Sequence, residues 1–479
     1  MPLQLDEMLV SWRNSVVRLT SGNGPAISRS SPHKGGCMFP RPVRRAFAIG
    51  VGALAGASLV GEAIAQIVPG SPGPPPPREE RPDLRPPAAR EGEAYEPIGV
   101  PVGGFRLFPV LELNEGYNDN VYATSTSFGQ TPSFIQIIKP GLELRSNWSN
   151  HMLNFHATGA FGFYTAAPIQ NYQDFSVGTD GRLDIQRNWN IYGNLSFNRL
   201  HEDPGTPNTV TGVVATTIYN QSTGTLGYYQ KINRFSGRAE FRTDYFSYYD
   251  NGLGLAQGVV PNTDRDRTEL RESLRFGYEF INNYEVWVRG TLNQRLYDHQ
   301  PDAAGFFRNS SGWELVGGLT IDIGGLTTAE VFAGYLQQNY VDSAFQTVQG
   351  PQFGLAAYWT PLKELWVKPY VKRTVNEAAF VGDSGYLATS FGVEVDYKVL
   401  PNVRLNGRGD YSIANYQSSP TAGTTNRYDQ YYLFQAGLMY SPMREFFVGP
   451  QYQYIYRESN QPGFNYGQNV ILLRLGARL

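Results

Sequence analysis

The chain has 479 residues, a formal net charge of −2 and a single cysteine. The near-neutral balance gives no footing for a nucleic-acid partner. Length alone fits either several soluble domains or one large β-barrel. The 31 Tyr, 27 Phe and 52 Gly, against only 17 % charged residues, favour the barrel. Glycine suits strands that curve tightly, and aromatic rings settle at a membrane interface.

In chain order, the first informative element is Arg41, Arg44 and Arg45, followed by the apolar run Ala46 to Val60 and by Ala63-Ile64-Ala65. That is the charged region, apolar region and A-x-A site of a secretory signal peptide. The run is short and rich in Gly and Ala, which disfavours a permanent transmembrane helix. Cleavage is expected after Ala65, leaving Gln66 as the first mature residue. Residues 1–37 precede Met38 and read as an upstream extension, with 38–65 as the signal peptide; an extended leader is the alternative. Cys37 then lies outside the mature protein, so the exported chain carries no thiol into the oxidising periplasm. Residues 66–104 form a proline-rich tether, densest at Pro74 to Pro77. It is expected to be extended and periplasmic, as a plain spacer or, less simply, as a docking segment for a periplasmic partner or peptidoglycan.

From Phe105 to Leu479 the pattern becomes strand-like, with apolar and polar side chains alternating at period 2. Phe235, Gly237, Ala239, Phe241, Thr243 and Tyr245 share one face, opposite Ser236, Arg238, Glu240, Arg242 and Asp244. Short connections recur at Asn147–Asn150, Arg187–Asn188, Lys231–Arg234, Ile281–Asn283, Gly324–Gly325, Thr360–Glu364, Leu400–Asn402 and Ser441–Arg444. Long polar links alternate with them, as in His201–Ile218 and Asp250–Asp266. This sorting by length predicts an all-β, antiparallel, up-and-down transmembrane barrel with short periplasmic turns and long extracellular loops. The count is about eighteen strands, or 16 to 20 if a hairpin is merged or missed. Aromatic residues beside the short turns (Trp148, Trp189, Tyr192, Tyr284, Trp287, Trp359, Trp366, Phe446 and Phe447) are expected to form an interfacial girdle.

The opening segment Leu107 to Ala123 runs from a strand into Asn118-Asp119-Asn120-Val121-Tyr122. It resembles the start of the putative β-barrel porin 2 family. The resemblance implies an outer-membrane barrel, with a link in some members to exopolysaccharide production or export. The final segment, Asn469 to Leu479, resembles the strand signal read by barrel-assembly machinery, except that its last residue is Leu479 and not an aromatic one.

In a barrel the charged face lines the lumen. The candidate lining residues are Arg238, Glu240, Arg242, Asp244, Arg267, Glu269, Arg271, Arg275, Glu279, Arg289, Arg295, Lys368, Lys372, Arg404 and Arg408. They would either set a transverse field or neutralise one another. His201-Glu202-Asp203 is the densest acid–base or metal candidate, although solvated loop charge is the simpler reading. Asn118-Asp119-Asn120 offers calcium-type oxygens but reads more simply as a turn. Tyr245–Tyr249 and Tyr431-Tyr432 raise a sugar-stacking path, which a girdle position would equally explain. No catalytic residue, cofactor or metal is assigned, so an outer-membrane enzyme ranks last. The expected role is a porin-like channel for small solutes, with exopolysaccharide export as the alternative. Expected partners are outer-membrane lipid and lipopolysaccharide, the assembly machinery, the solute or polysaccharide, and further copies of the chain.

Overall fold

A computed structural model describes residues 95–209, 215–252, 259–323, 326–379, 383–418 and 426–479. The signal peptide, its cleavage site at Ala65 and Gln66, Cys37, most of the proline-rich tether and the turn at Gly324–Gly325 lie outside them. Eighteen long strands make up the wall. The first nine are β1 (Phe105–Asn118), β2 (Ser133–Ser146), β3 (Met152–Tyr164), β4 (Tyr172–Gln186), β5 (Trp189–Glu202), β6 (Thr217–Ile232), β7 (Phe235–Tyr248), β8 (Arg267–Ile281) and β9 (Tyr284–Tyr297). The rest are β10 (Ser310–Ile323), β11 (Thr327–Tyr340), β12 (Val348–Leu362), β13 (Leu365–Asn376), β14 (Asp383–Leu400), β15 (Val403–Ser418), β16 (Tyr428–Met443), β17 (Phe446–Ser459) and β18 (Tyr466–Arg478). A three-residue strand, Val100–Val102, folds back on the start of β1.

Each strand pairs antiparallel with its neighbours in sequence, and β1 pairs with β18 from Val110↔Arg478 to Asn118↔Val470. That last pairing closes the wall, so none of its eighteen strands is left as an edge. The eighteen expected strands are therefore present, in the expected order. At one end the strands are joined by two-residue turns such as Asn233-Arg234 and Asn282-Asn283. Asn233 and Asn283 there adopt φ of 53° and 71°, a left-handed conformation that asparagine tolerates. The long connections gather at the other end.

The two faces differ as the alternation requires. Leu111, Leu195, Phe235, Leu274, Phe276, Leu315, Phe434 and Leu475 are exposed on the outside, while Glu112, Asn114, Arg275, Gln338, Gln451 and Arg474 are buried on the inside. One expectation fails here. Of the rings beside the short turns, Trp148, Trp359 and Phe446 face outward, but Tyr192, Trp287 and Phe447 are buried on the inner face. Trp366 also points inward, packing on Tyr358 beneath Lys368. Consecutive residues of a strand point to opposite sides, so distance from a turn does not decide which side a ring takes. Glycines make room for the inward rings. A Cβ at Gly227 would overlap Tyr192, and one at Gly476 would overlap Phe447.

Candidate channel lumen

The inner face carries every charged residue that the alternation singles out, and most of them are already paired. Arg242 holds Asp244 through two hydrogen bonds of 2.6 and 2.8 Å. Arg267 meets Glu269 at 2.8 Å, and Lys231 meets Glu279. Arg275 reaches Glu330 at 3.0 Å and Glu285 at 3.3 Å. Arg289 bonds Glu314 at 3.1 Å, while Arg295 bonds Glu377. On the opposite wall Lys368 pairs with Glu394, Arg404 with Asp396 and Glu96, and Arg408 with Asp410. Glu240 accepts from the Tyr192 hydroxyl at 2.9 Å. Arg238 lies over the Tyr229 ring. Arg271 and Lys372 differ from these, because among the described residues no carboxylate lies within ion-pair distance of either. Pairing therefore neutralises most of these charges, and of the residues just named Arg271 and Lys372 are the ones without an ion pair.

Several inner-face groups carry no sequence signal of their own. Glu112 of β1 accepts both arms of Arg474 of β18, at 3.1 and 3.0 Å, across the strands that close the barrel. The cross-strand neighbour of Glu112, Lys139, is buried alongside. The polar face of the closing strand contains Arg474 and could have flagged this cluster.

The loop end is narrowed by the connection between β5 and β6. Residues 203–209 reach across to inner-face side chains of distant strands. The Gly205 carbonyl accepts from Arg457 of β17 at 3.0 Å, and that of Pro207 accepts from Tyr416 of β15 at 2.9 Å. Asn208 Oδ1 accepts from the Ala379 N–H at 3.2 Å. Beneath this segment Tyr386, Tyr416, Tyr431, Leu433, Ile455 and Tyr466 form a buried apolar cluster inside the barrel. A second bridge joins β9 to the connection after β13. Arg295 donates to the Val375 carbonyl at 2.8 Å, and the Tyr297 hydroxyl to Glu377 at 2.7 Å. Arg308 adds a bond to the Ala378 carbonyl at 3.1 Å.

At the turn end, the residues before β1 lie against inner-face side chains of β14, β15 and β18. Glu96 receives Lys398 and Arg404, each at 2.8 Å, and Arg478 donates to the Tyr95 carbonyl at 2.9 Å. Burial alone would raise the Glu96 carboxyl, but Arg404 and Lys398 outweigh it and hold the group below the usual glutamate range.

The remaining sequence candidates resolve as structural groups. His201 is 4 % exposed, not solvated: its Nδ1 faces Asp174 at 2.8 Å and its Nε2 faces Asp203 at 3.0 Å, with Tyr172 stacked on the ring at 3.9 Å. Gripped by a carboxyl group at each nitrogen, the ring tethers the start of the inserted segment. Asn118 Oδ1 caps the Asn120 N–H at 2.9 Å, and Asp119 receives the Asn469 backbone at 2.7 Å, so this triplet builds a turn. No group of metal-ligating side chains occurs among the described residues. Tyr245 and Tyr432 face outward and Tyr431 sits in the buried cluster, so these tyrosines do not form one continuous path.

The family described as putative beta-barrel porin 2 matches residues 93–479. No curated protein matches the sequence. Among solved structures, the chain is similar to OpdO of Pseudomonas aeruginosa, with 14% identity, TM-score 0.39, and 78% of this chain and 97% of that one covered. It is also similar to a BenF-like porin from Pseudomonas fluorescens Pf-5, with 9% identity, TM-score 0.41, and coverage of 79% and 100%. The siderophore receptor PirA of Pseudomonas aeruginosa gives 7% identity, TM-score 0.39, and coverage of 78% and 80%.

Proposed function

With residues 93–479 matched, the chain belongs to the putative beta-barrel porin 2 family, and from that premise we propose that it is an outer-membrane channel through which small hydrophilic solutes pass passively. The observation that carries this reading is the division of the closed wall into an apolar outer face and a charged, hydrogen-bonded inner face. An apolar outside suits lipid, and a polar inside suits water and solutes. The short turns face the periplasm, where the tether begins, and the long loops face outward. Segment 203–209 and the Arg295–Glu377 bridge narrow the outer part of the path. The closing strand β18 serves as the segment read by the assembly machinery. A channel accounts for these features without a catalytic group.

Planar-bilayer recording of the purified, folded barrel tests the proposal. Discrete, ohmic current steps are expected, and a protein that inserts without conducting would refute the channel. Membrane fractionation with a heat-modifiability gel tests the location: a soluble periplasmic protein would refute the outer membrane.

A further inference from the structure

Arg271 and Lys372, which have no carboxylate at ion-pair distance among the described residues, lie in one part of the lumen. Arg271 of β8 sits directly opposite Arg242 of β7 in the strand register, with Asn293 of β9 on its other side. Two guanidinium groups placed opposite each other repel. Arg242 is compensated by Asp244, whereas Arg271 has no such partner and is exposed to the lumen. Lys372 projects from the inner face of β13, and the charges of Arg271 and Arg242 both act on it.

Four strands, β9 to β12, lie between β8 and β13 along the wall, yet side chains pinch the lumen between this part of the wall and β13. The pinch is the bridge described above, in which Arg295 of β9 reaches the Val375 carbonyl and Glu377. Lys372 lies three residues below Val375 on β13. Arg271 lies on β8, below Glu269, which is opposite Arg295. The three cations thus lie just beneath the bridge, on the periplasmic side.

The carboxylates that face this point are occupied. Asp244 is held by Arg242, Gln221 and Thr223. Glu269 is held by Arg267, and Glu314 by Arg289 and Gln352. Glu240 accepts from Tyr192. Each is hydrogen-bonded to its own donor; the charge of Glu269 also acts on Arg271, but neither Arg271 nor Lys372 has a carboxylate at bonding distance, so both remain open to a solute. A guanidinium fork and an ammonium directed at one region of the lumen offer the donors that an oxyanion takes through charge-assisted hydrogen bonds.

We propose that Arg271 and Lys372, with Arg242 beside them, form a binding station for a small oxyanion, a carboxylate or a phosphate, under the bridge in the lumen. The station rests on the channel reading and gives that channel a preference for anions. One monovalent charge about 5 Å from the path, in a water-like medium, changes local anion concentration about fourfold.

The test combines two measurements on the folded, detergent-purified barrel. Calorimetric titration with inorganic phosphate and, separately, with acetate reads the station directly; reversal potential in a potassium chloride gradient reads the channel. In the native protein we expect saturable binding of at least one of the two anions, together with a chloride preference. Arg271→Gln and Lys372→Gln should each lower the chloride preference, about fourfold for a full charge, and the double variant should abolish binding. Phosphate binding alone points to a dianionic solute, and acetate binding to a carboxylate. Arg271→Gln should also melt no lower than the native barrel, since it removes a like-charge contact; that result separates loss of binding from loss of fold. Conductance without anion binding, or binding that survives both substitutions, would overturn the station while leaving the channel. Anion binding without conductance would keep the station and overturn the channel.

Discussion

Arg457→Ala probes whether segment 203–209 is the narrow point of the path. Arg457 donates to the Gly205 carbonyl at 3.0 Å and to the Phe464 carbonyl at 2.6 Å. Its guanidinium lies 4.9 Å from the Tyr466 ring and 5.2 Å from that of Phe464. Of the other ties on the segment, Tyr416 to Pro207, Tyr466 to Gly205 and Ala379 to Asn208 are neutral, and His201 holds Asp203 at 3.0 Å. A hydrogen bond from a charged donor contributes about 1.5–3 kcal/mol and a neutral one about 1 kcal/mol. Losing the arginine therefore removes about 2 kcal/mol of what holds the segment, which multiplies the displaced population about 30-fold. Single-channel recording should show larger current excursions and more frequent transitions than the native barrel, and limited proteolysis should cut near Gly205 sooner. Arg457→Lys, which keeps the charge but loses the fork, should fall between the two. A variant with native current, native noise and native cleavage would refute the assignment of this segment as the constriction.

Other expectations can be checked on the same protein. His201→Ala leaves the buried Asp174 and its neighbour Asp203 without their shared donor and should cost about 3–5 kcal/mol, read as a lower melting temperature; an unchanged melting point would contradict the ion triad. Arg474→Met strands Glu112 between the first and last strands, so the yield of heat-modifiable, closed barrel should fall, whereas Arg474→Met combined with Glu112→Leu should recover much of it. Glu96 has its carboxyl held below the ordinary range in the folded protein. The stabilisation it provides is thus complete above the ordinary glutamate value and is lost as pH falls through the lowered one. Protease access at residues 95–99 should accordingly rise only on strong acidification, and Glu96→Gln should show that access already at neutral pH. Mass spectrometry of the exported protein should find Gln66 at its N-terminus, and a terminus elsewhere would relocate the signal.

The wall was legible because each long strand repeats one rule, apolar out and polar in, and because turns and loops alternate by length. What was not legible depends on register or on distance along the chain. Phe446 and Phe447 stand side by side beside a turn, yet only their hydrogen-bond partners decide that the second points inward. Arg275 finds Glu330 on β11, and Arg295 finds Glu377 beyond β13; no local pattern announces such pairs. His201-Glu202-Asp203 read as loop charge because Asp174, which buries the imidazole, comes from the preceding strand. The inward course of Gly205 and Pro207 depends on Arg457 and Tyr416, more than two hundred residues away.

The arrangement of arginines on β7 to β9 bears on whether this wall serves stability alone. Register places Arg238, Arg275 and Arg289 in one row, with Arg242 and Arg271 in the next but one toward the loop end. Like charges directly opposite are destabilising, by roughly 0.2–1 kcal/mol a pair, and a wall built only for stability would alternate signs along a row. In the first row Arg275 and Arg289 draw carboxylates from other strands and rest on the Trp287 ring at 4.1 and 5.6 Å. The second row lacks that full compensation, since Arg271 has only the charge of Glu269, which Arg267 already holds, and Lys372 adds a further cation from across the lumen. A counter-charge that the wall does not supply must come from what enters the lumen. An arrangement unfavourable in the empty barrel becomes favourable when an anion occupies it, and the substitution that relieves the repulsion is the one that should weaken the binding.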